Sequence, residues 1–225
     1  MMLFLLYLGL FFALTLSPLS LAYFKRLRID QLSLAPRISL WVVAAIELVI
    51  AATGIDTWRR LIGLVWPTWQ MLGMAVIASA VLFFIFGVYQ HFLDKYKFFD
   101  VSQKQLELQK TLFEMPLWRR LFVVTTAAFT EEILYRGYAI GIGQYLLGSV
   151  WLACILSIVA FMLAHLAWGL AHLIPIFLAT FAITLTFVLT QNLWACIIVH
   201  GILDGVGLLI GPVVMARKNR TLVED

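Results

Sequence analysis

Three short motifs in the second half of the sequence place carboxylates, an arginine and histidines at spacings suited to acid–base chemistry. In the first motif, EEILYR at 131–136, Glu132 and Arg136 are four residues apart, so on a helix they share one face and can form an ion pair. Glu131 points about 100° away from Glu132 and has no partner evident in the sequence. The spacing therefore predicts an ion pair for Glu132 and leaves Glu131 without a partner on its own helix.

The other two motifs each contribute a histidine. In FMLAH at 161–165 a phenylalanine precedes His165 by four residues, and in HGILD at 200–204 His200 precedes Asp204 by the same spacing. An aspartate one helical turn after a histidine can accept a hydrogen bond from the imidazole and fix its tautomer and orientation. Ionisable side chains in three apolar segments favour one shared polar site over separate structural ion pairs.

The chain around these motifs is too apolar for a soluble protein. Of its 225 residues 63% are hydrophobic and 12% charged, whereas soluble domains are typically about half apolar and a quarter charged. The net charge of +4 is explained by the basic loops of a membrane protein, and no basic face or aromatic-basic module indicates nucleic-acid binding. Cys154 and Cys196 lack metal-type spacing and are predicted to be buried thiols.

The sequence predicts an all-α fold, a polytopic transmembrane helical bundle of about seven spans, since a span needs roughly 20 mostly apolar residues. The N-terminus has no basic segment before its apolar run, so we expect a retained first span and not a cleaved signal peptide. The amphipathic segment after the third span is predicted to be an interfacial helix or a cytoplasmic loop. We expect a single membrane domain over 1–225, with N-terminal spans and the amphipathic loop at 1–117 and the motif-bearing core at 118–214. The predicted spans are 2–24, 38–55, 68–93, 118–138, 147–167, 171–190 and 193–214.

Basic residues follow the first, third and last predicted spans. With the N-terminus outside, thirteen of them fall on the cytoplasmic side, as the positive-inside rule expects, and the C-terminus is cytoplasmic too. They are Lys25, Arg26, Arg28, Arg37, Lys95, Lys97, Lys104, Lys110, Arg119, Arg120, Arg217, Lys218 and Arg220.

In this order and on successive spans, the motifs EE-x3-R, F-x3-H and H-x3-D/N resemble those of the CPBP family. This family of membrane proteases includes the type II CAAX prenyl endopeptidases and bacterial homologues that process bacteriocins or confer immunity to them. The resemblance covers residues 118–210 and implies that a glutamate-activated water hydrolyses a peptide bond, without a metal or another cofactor. It also implies a peptide or lipidated protein as substrate, contact with membrane lipid and, for a bacterial relative, the inner membrane of a prokaryotic cell.

Carried over residue by residue, the resemblance implies that Glu131 is the general base and that His165 helps to position or deprotonate the water. His200 and Asp204 stand where the family places an oxyanion-stabilising pair. Some CAAX endopeptidases have asparagine at the position of Asp204, and an ionised aspartate would repel an oxyanion. We therefore expect Asp204 either to stay protonated or to act by orienting His200. Glu132 and Arg136 are then implied to hold the helix and set the local field.

Three alternatives remain from the sequence. Histidines and carboxylates could hold Zn²⁺ or Fe²⁺ in a metal-dependent protease, although neither H-E-x-x-H nor Glu-x-x-His occurs. The chain could instead be a catalytically silent scaffold or regulator of the same fold. A small transporter that relays protons is a third class, and no inverted repeat is evident. The sequence predicts neither the identity of the substrate nor the oligomeric state.

Other polar residues of the predicted spans have simpler interpretations. Glu47 is expected to make an interhelical hydrogen bond, and His91 and His172 to lie near membrane boundaries. On the predicted bounds Glu131 and His165 differ in depth by about 10 Å. A long tilted helix or a re-entrant segment within 110–150 would remove that difference.

Overall fold

The computed structural model describes residues 1–26, 33–96 and 103–212, which are almost entirely helical and contain no strand. The all-α prediction is therefore confirmed. The helices are Met2–Arg26 (α1), Leu34–Gly54 (α2), Trp58–Ile62 (α3), Trp69–Tyr96 (α4), Gln103–Glu114 (α5), Leu117–Thr126 (α6), Gly143–Leu147 (α7), Val150–Ala164 (α8), Leu170–Thr190 (α9) and Leu193–Gly205 (α10), with π-helical segments at Ala127–Glu131 (π1), Ile133–Ile142 (π2) and Val206–Ile210 (π3) and a 3₁₀ turn at Leu166–Trp168.

Helices of this length and composition belong in a bilayer. Four described helices are long and apolar enough to cross a membrane, and two shorter stretches, Met2–Thr15 and Val150–Ala164, are also apolar. Large apolar side chains such as Phe84 and Leu189 project from the surface of these helices. Lipid can cover this surface, whereas water would penalise it, so the chain is an integral membrane protein. The four long helices are Leu34–Gly54, Trp69–Leu93, Leu170–Thr190 and Leu193–Ile210.

The first motif lies in one continuous helix over residues 117–147, which we call the motif helix; it comprises α6, π1, π2 and α7. The predicted span 118–138 is therefore too short, because the helix continues until Gly148, whose φ of 67° ends it. Glu131 lies near the middle of this longer helix. A glycine inside it serves close packing and not flexibility, because a methyl group at Gly141 would collide with the carbonyl group of Leu61 in α3.

Most of the motif helix between residues 127 and 142 is π-helical. Such turns are rare and concentrate at functional sites. The wider winding changes which carbonyl groups are bonded within the helix, and Ser157 of α8 donates a hydrogen bond to the carbonyl oxygen of Tyr135 at 2.8 Å. The neighbouring helix α8 therefore stabilises the π-helical geometry.

The second motif ends a helix. α8 stops at Ala164, and residues 165–169 turn the chain into α9 through a 3₁₀ turn and Gly169, whose φ of 79° and ψ of 163° suit only glycine. The predicted span 147–167 is thus slightly too long, because His165 leaves the helical conformation with φ −104° and ψ 3°.

The predicted amphipathic segment is a helix, α5, over Gln103–Glu114, and it packs through Leu112 against the turn that follows His165. Cys154 and Cys196 are buried free thiols, as predicted. Five of the basic residues in the topology prediction lie outside the described ranges: Arg28, Lys97, Arg217, Lys218 and Arg220.

Candidate active site

A cavity of about 550 Å³ opens between α2, α5, α9, α10 and the motif helix. Its wall is mostly apolar, and its polar lining includes Glu131, His165, Thr180, His200 and Asp204. The residues of all three motifs therefore meet around one space. Because Glu131 and His165 line the same cavity, the expected difference in depth does not separate them.

Glu132 lies behind this lining and is fully buried. Its Oε1 atom accepts a hydrogen bond from Arg136 Nη1 at 2.9 Å and another from His200 Nδ1 at 2.6 Å. The ion pair that the four-residue spacing predicts is present, and the histidine is a further partner from α10. Two donors on one carboxylate offset much of the cost of burying its charge.

Arg136 is held on its other side by α9 and α8. Its Nη2 atom donates to the carbonyl oxygen of Thr180 at 3.0 Å and also to the Thr180 hydroxyl oxygen. The guanidinium lies 5.1 Å from the centre of the Phe161 ring, which is a cation–π distance. The contact between Thr180 and Arg136 is not predictable from the sequence, because threonines recur along α9 and nothing in their spacing distinguishes the one that faces the arginine.

Glu131 differs from its neighbour in every respect that matters for chemistry. It is partly exposed, it lines the cavity, and within the described part of the chain it has no hydrogen bond or ion pair. The angular separation of adjacent residues, about 100°, points the two carboxylates in different directions. Glu131 is therefore available to a bound molecule, whereas Glu132 is not.

His165 has a fixed ring orientation. Its Nδ1 atom lies 2.8 Å from the carbonyl oxygen of Phe161, and its ring stacks on the Phe161 ring with centres 4.3 Å apart. A carbonyl oxygen only accepts hydrogen bonds, so Nδ1 carries the hydrogen, and Nε2 of the neutral ring keeps its lone pair. The F-x3-H spacing thus has a physical basis, since Phe161 orients His165 and also contacts Arg136.

The contacts of His200 depart from the sequence analysis. One of the two roles predicted for Asp204 is to orient this imidazole, but the short bond runs from Nδ1 to Glu132. Asp204 Oδ2 lies 3.4 Å from Nε2, which is long for a hydrogen bond, and the Asp204 side chain is 36% exposed. The buried carboxylate prevails because it is fixed by Arg136, whereas Asp204 faces the open cavity.

The position of His172 near a membrane boundary stays a prediction, whereas the interpretation of Glu47 is wrong. His172 lies in the first turn of α9 but lines the cavity, and its Nδ1 atom has no hydrogen-bond partner among the described residues. Glu47 is buried without the expected hydrogen bond in that same part of the chain.

The donor set bears on metal binding. Within residues 1–26, 33–96 and 103–212, no three His, Cys, Asp or Glu side chains form a group that could hold a metal ion. His200 faces a carboxylate at each ring nitrogen. These contacts show hydrogen-bonding and ion-pair geometry around His200.

Comparison with known proteins agrees with this geometry. Residues 113–206 match the model of a family described as type II CAAX prenyl endopeptidase Rce1-like. No curated protein and no solved structure matches the chain. The matched segment runs from the end of α5 to the start of π3 and includes all three motifs.

Proposed function

We propose, from the membership of the CPBP family that the match over residues 113–206 supports, that this integral membrane protein is an intramembrane endopeptidase. It hydrolyses a peptide bond in a membrane-associated or lipidated substrate, and a glutamate-activated water is the nucleophile. The observation that carries the proposal is the difference in environment between two adjacent carboxylates. Glu132 is occupied by two donors, and Glu131 faces a cavity that also contains His165.

In the proposed reaction a water molecule lies between Glu131 and Nε2 of His165. Glu131 takes a proton from this water molecule. At the same time the oxygen of the water forms a bond to the carbonyl carbon of the substrate. The electron pair of the carbonyl double bond moves to the carbonyl oxygen. When this oxyanion collapses, the C–N bond breaks and Glu131 returns the proton to the leaving nitrogen.

The oxyanion needs a donor, and we assign that role to Nε2 of His200 with the help of Asp204. This role requires the doubly protonated imidazolium form of His200, which gives its Nδ1 hydrogen to the Glu132 carboxylate and keeps a second hydrogen on Nε2 for the substrate. A well-placed donor of this kind contributes roughly 3–4 kcal/mol to the transition state. A protonated Asp204 could add a second donor, since its oxygen lies 3.4 Å from the same nitrogen.

The topology belongs to the same proposal. The whole chain forms one membrane domain in the inner membrane of a prokaryotic cell, with its basic loops and C-terminus on the cytoplasmic side. The surrounding lipid and a peptide or lipidated protein substrate are its partners.

Cleavage of prenylated and unprenylated peptides by the purified protein in lipid nanodiscs tests the proposal. We expect wild type to cleave at least one class, Glu131→Gln to lose at least about 100-fold in kcat, and His165→Ala to lose a similar factor. A chelator should leave the rate unchanged. Cleavage by the Glu131→Gln variant at the wild-type rate would contradict the mechanism. Activity that a chelator abolishes and Zn²⁺ restores would support the metal-dependent alternative. Peptide binding without cleavage would identify a silent scaffold.

A further inference from the structure

A second buried carboxyl group lies outside the candidate active site. Glu47 is in α2, one of the helices long enough to span the membrane, and is 1% exposed. Among the described residues neither of its oxygens has a hydrogen-bond partner and no cation pairs with it. An isolated carboxylate ion at such a place is one of the most costly arrangements in a membrane protein.

The hydroxyl group of Tyr138 lies close to Glu47. A methyl group at Gly9 of α1 would lie 2.8 Å from Glu47 Oε2 and even closer to the hydroxyl oxygen of Tyr138. Glu47 Oε2 and the Tyr138 hydroxyl oxygen are therefore less than twice 2.8 Å apart, and both lie next to Gly9. Glycine at this position leaves room for them.

The hydrogen of the Tyr138 hydroxyl group is already used. It is donated to the carbonyl oxygen of Leu6 in α1, at 3.2 Å. The hydroxyl oxygen can still accept a hydrogen bond. Glu47 can provide one only if its carboxyl group carries a proton.

We propose that Glu47 is a proton-binding site, and that its neutral carboxyl group donates a hydrogen bond to Tyr138. The resulting chain, from Glu47 to Tyr138 to the Leu6 carbonyl, links α2, π2 and α1. The Glu47 side chain has to rotate to complete it, because neither of its oxygens makes a hydrogen bond in the structure. The proton removes the charge, and the hydrogen bond satisfies the acid group that would otherwise be buried alone.

This chain also gives Glu47 a positioning role. Tyr138 lies two residues after Arg136 on the motif helix, and α2 contacts the same helix a second time where Trp41 Nε1 donates to Thr126 Oγ1 at 3.0 Å. The two contacts fix both ends of the segment that bears Glu131. This catalytic consequence rests on the proposed function, whereas the proton site does not.

Infrared spectroscopy and thermal unfolding of the full chain in nanodiscs test the proton site. The difference spectrum between wild type and Glu47→Gln should contain the carbonyl stretch of a protonated carboxylic acid at neutral pH. Glu47→Gln, a neutral side chain that can still donate, should keep the unfolding midpoint within about 2 °C of wild type. Glu47→Ala should lower it by roughly 4–10 °C, and Tyr138→Phe should cost less in the Glu47→Ala background than in wild type, because the Glu47–Tyr138 hydrogen bond can be lost only once while the bond to Leu6 is lost in both.

A carboxylate band in place of the acid band would overturn the proposal, and so would a Glu47→Gln midpoint as low as that of Glu47→Ala. Neither measurement requires cleavage, so both still test the proton site if the protein cleaves no peptide. If the protein does cleave peptides, Glu47→Ala should lower kcat by roughly tenfold with KM nearly unchanged, and Glu47→Gln should restore kcat. Loss of kcat in both variants would contradict the positioning role.

Discussion

Glu132 and His200, which are 68 positions apart in the chain, are joined by a hydrogen bond of 2.6 Å between Oε1 and Nδ1. Because the same oxygen also holds Arg136, one atom connects the motif helix to α10 and balances a buried cation. The candidate active site is therefore constructed around a carboxylate that does not itself face the cavity.

The two adjacent glutamates should separate stability from catalysis. Glu132→Ala leaves Arg136 as an uncompensated buried charge, so it should destabilise the protein by about 3–5 kcal/mol. Glu131→Ala removes a side chain that makes no polar contact within the described ranges, so its unfolding midpoint should stay near that of wild type. Thermal unfolding in nanodiscs measures both. Equal losses of stability would contradict the division of roles.

Thr180 should stabilise the protein through Arg136. Thr180→Val keeps the shape of the side chain but removes the hydroxyl acceptor, and we expect a loss of about 1–3 kcal/mol. Thr184→Val is the matched control one turn further along α9, because the Thr184 hydroxyl is buried without a partner in the described part of the chain. That control should be neutral or slightly stabilising. Chemical denaturation of both variants compares them, and the idea fails if Thr184→Val is the more harmful.

Asp204→Asn distinguishes two roles for the aspartate. If a protonated Asp204 donates to the oxyanion, the asparagine amide can replace it, and kcat should stay within about tenfold of wild type. The stability should hardly change, since Glu132 and not Asp204 makes the short bond to His200. A folded variant that loses all cleavage would rule out a simple donor role.

Gly141 should tolerate no side chain. Gly141→Ala pushes a methyl group into the Leu61 carbonyl, and the backbone of α3 or of the motif helix has to move, at a cost of about 1–3 kcal/mol or more. Gly73→Ala in α4, where nothing lies within 4 Å of the added atom, should be neutral or stabilising because alanine favours helix. Unfolding midpoints of the two variants provide the comparison. A harmless Gly141→Ala would contradict the close packing of α3.

Local spacing predicted the parts of the site that depend on a single helix. The Glu132–Arg136 pair and the free side of Glu131 follow from the helical period, and the apolar runs gave the fold class. The membrane character needed only composition and length. The substrate-facing role of each side chain stays a prediction.

Contacts between helices could not be predicted from the spacing of residues along the sequence. Nothing in the sequence indicates that His200 bonds Glu132 more closely than Asp204, because that choice depends on how α10 packs against the motif helix. Thr180 was missed for the same reason. The π-helical winding was missed because its hydrophobic pattern is close to that of an α-helix over a few turns.

This winding has a consequence for how the chain can change over generations. Between residues 127 and 142 the backbone bonds mostly span five positions in place of four. A π turn holds about one residue more than an α turn, so losing one amino acid there would let an ordinary helical turn form while the residues beyond it keep their direction. The same loss from the α-helical turns of α6 would rotate everything beyond it by about 100° around the axis. Single deletions between Arg136 and residue 142 should therefore be tolerated better than single deletions in α6.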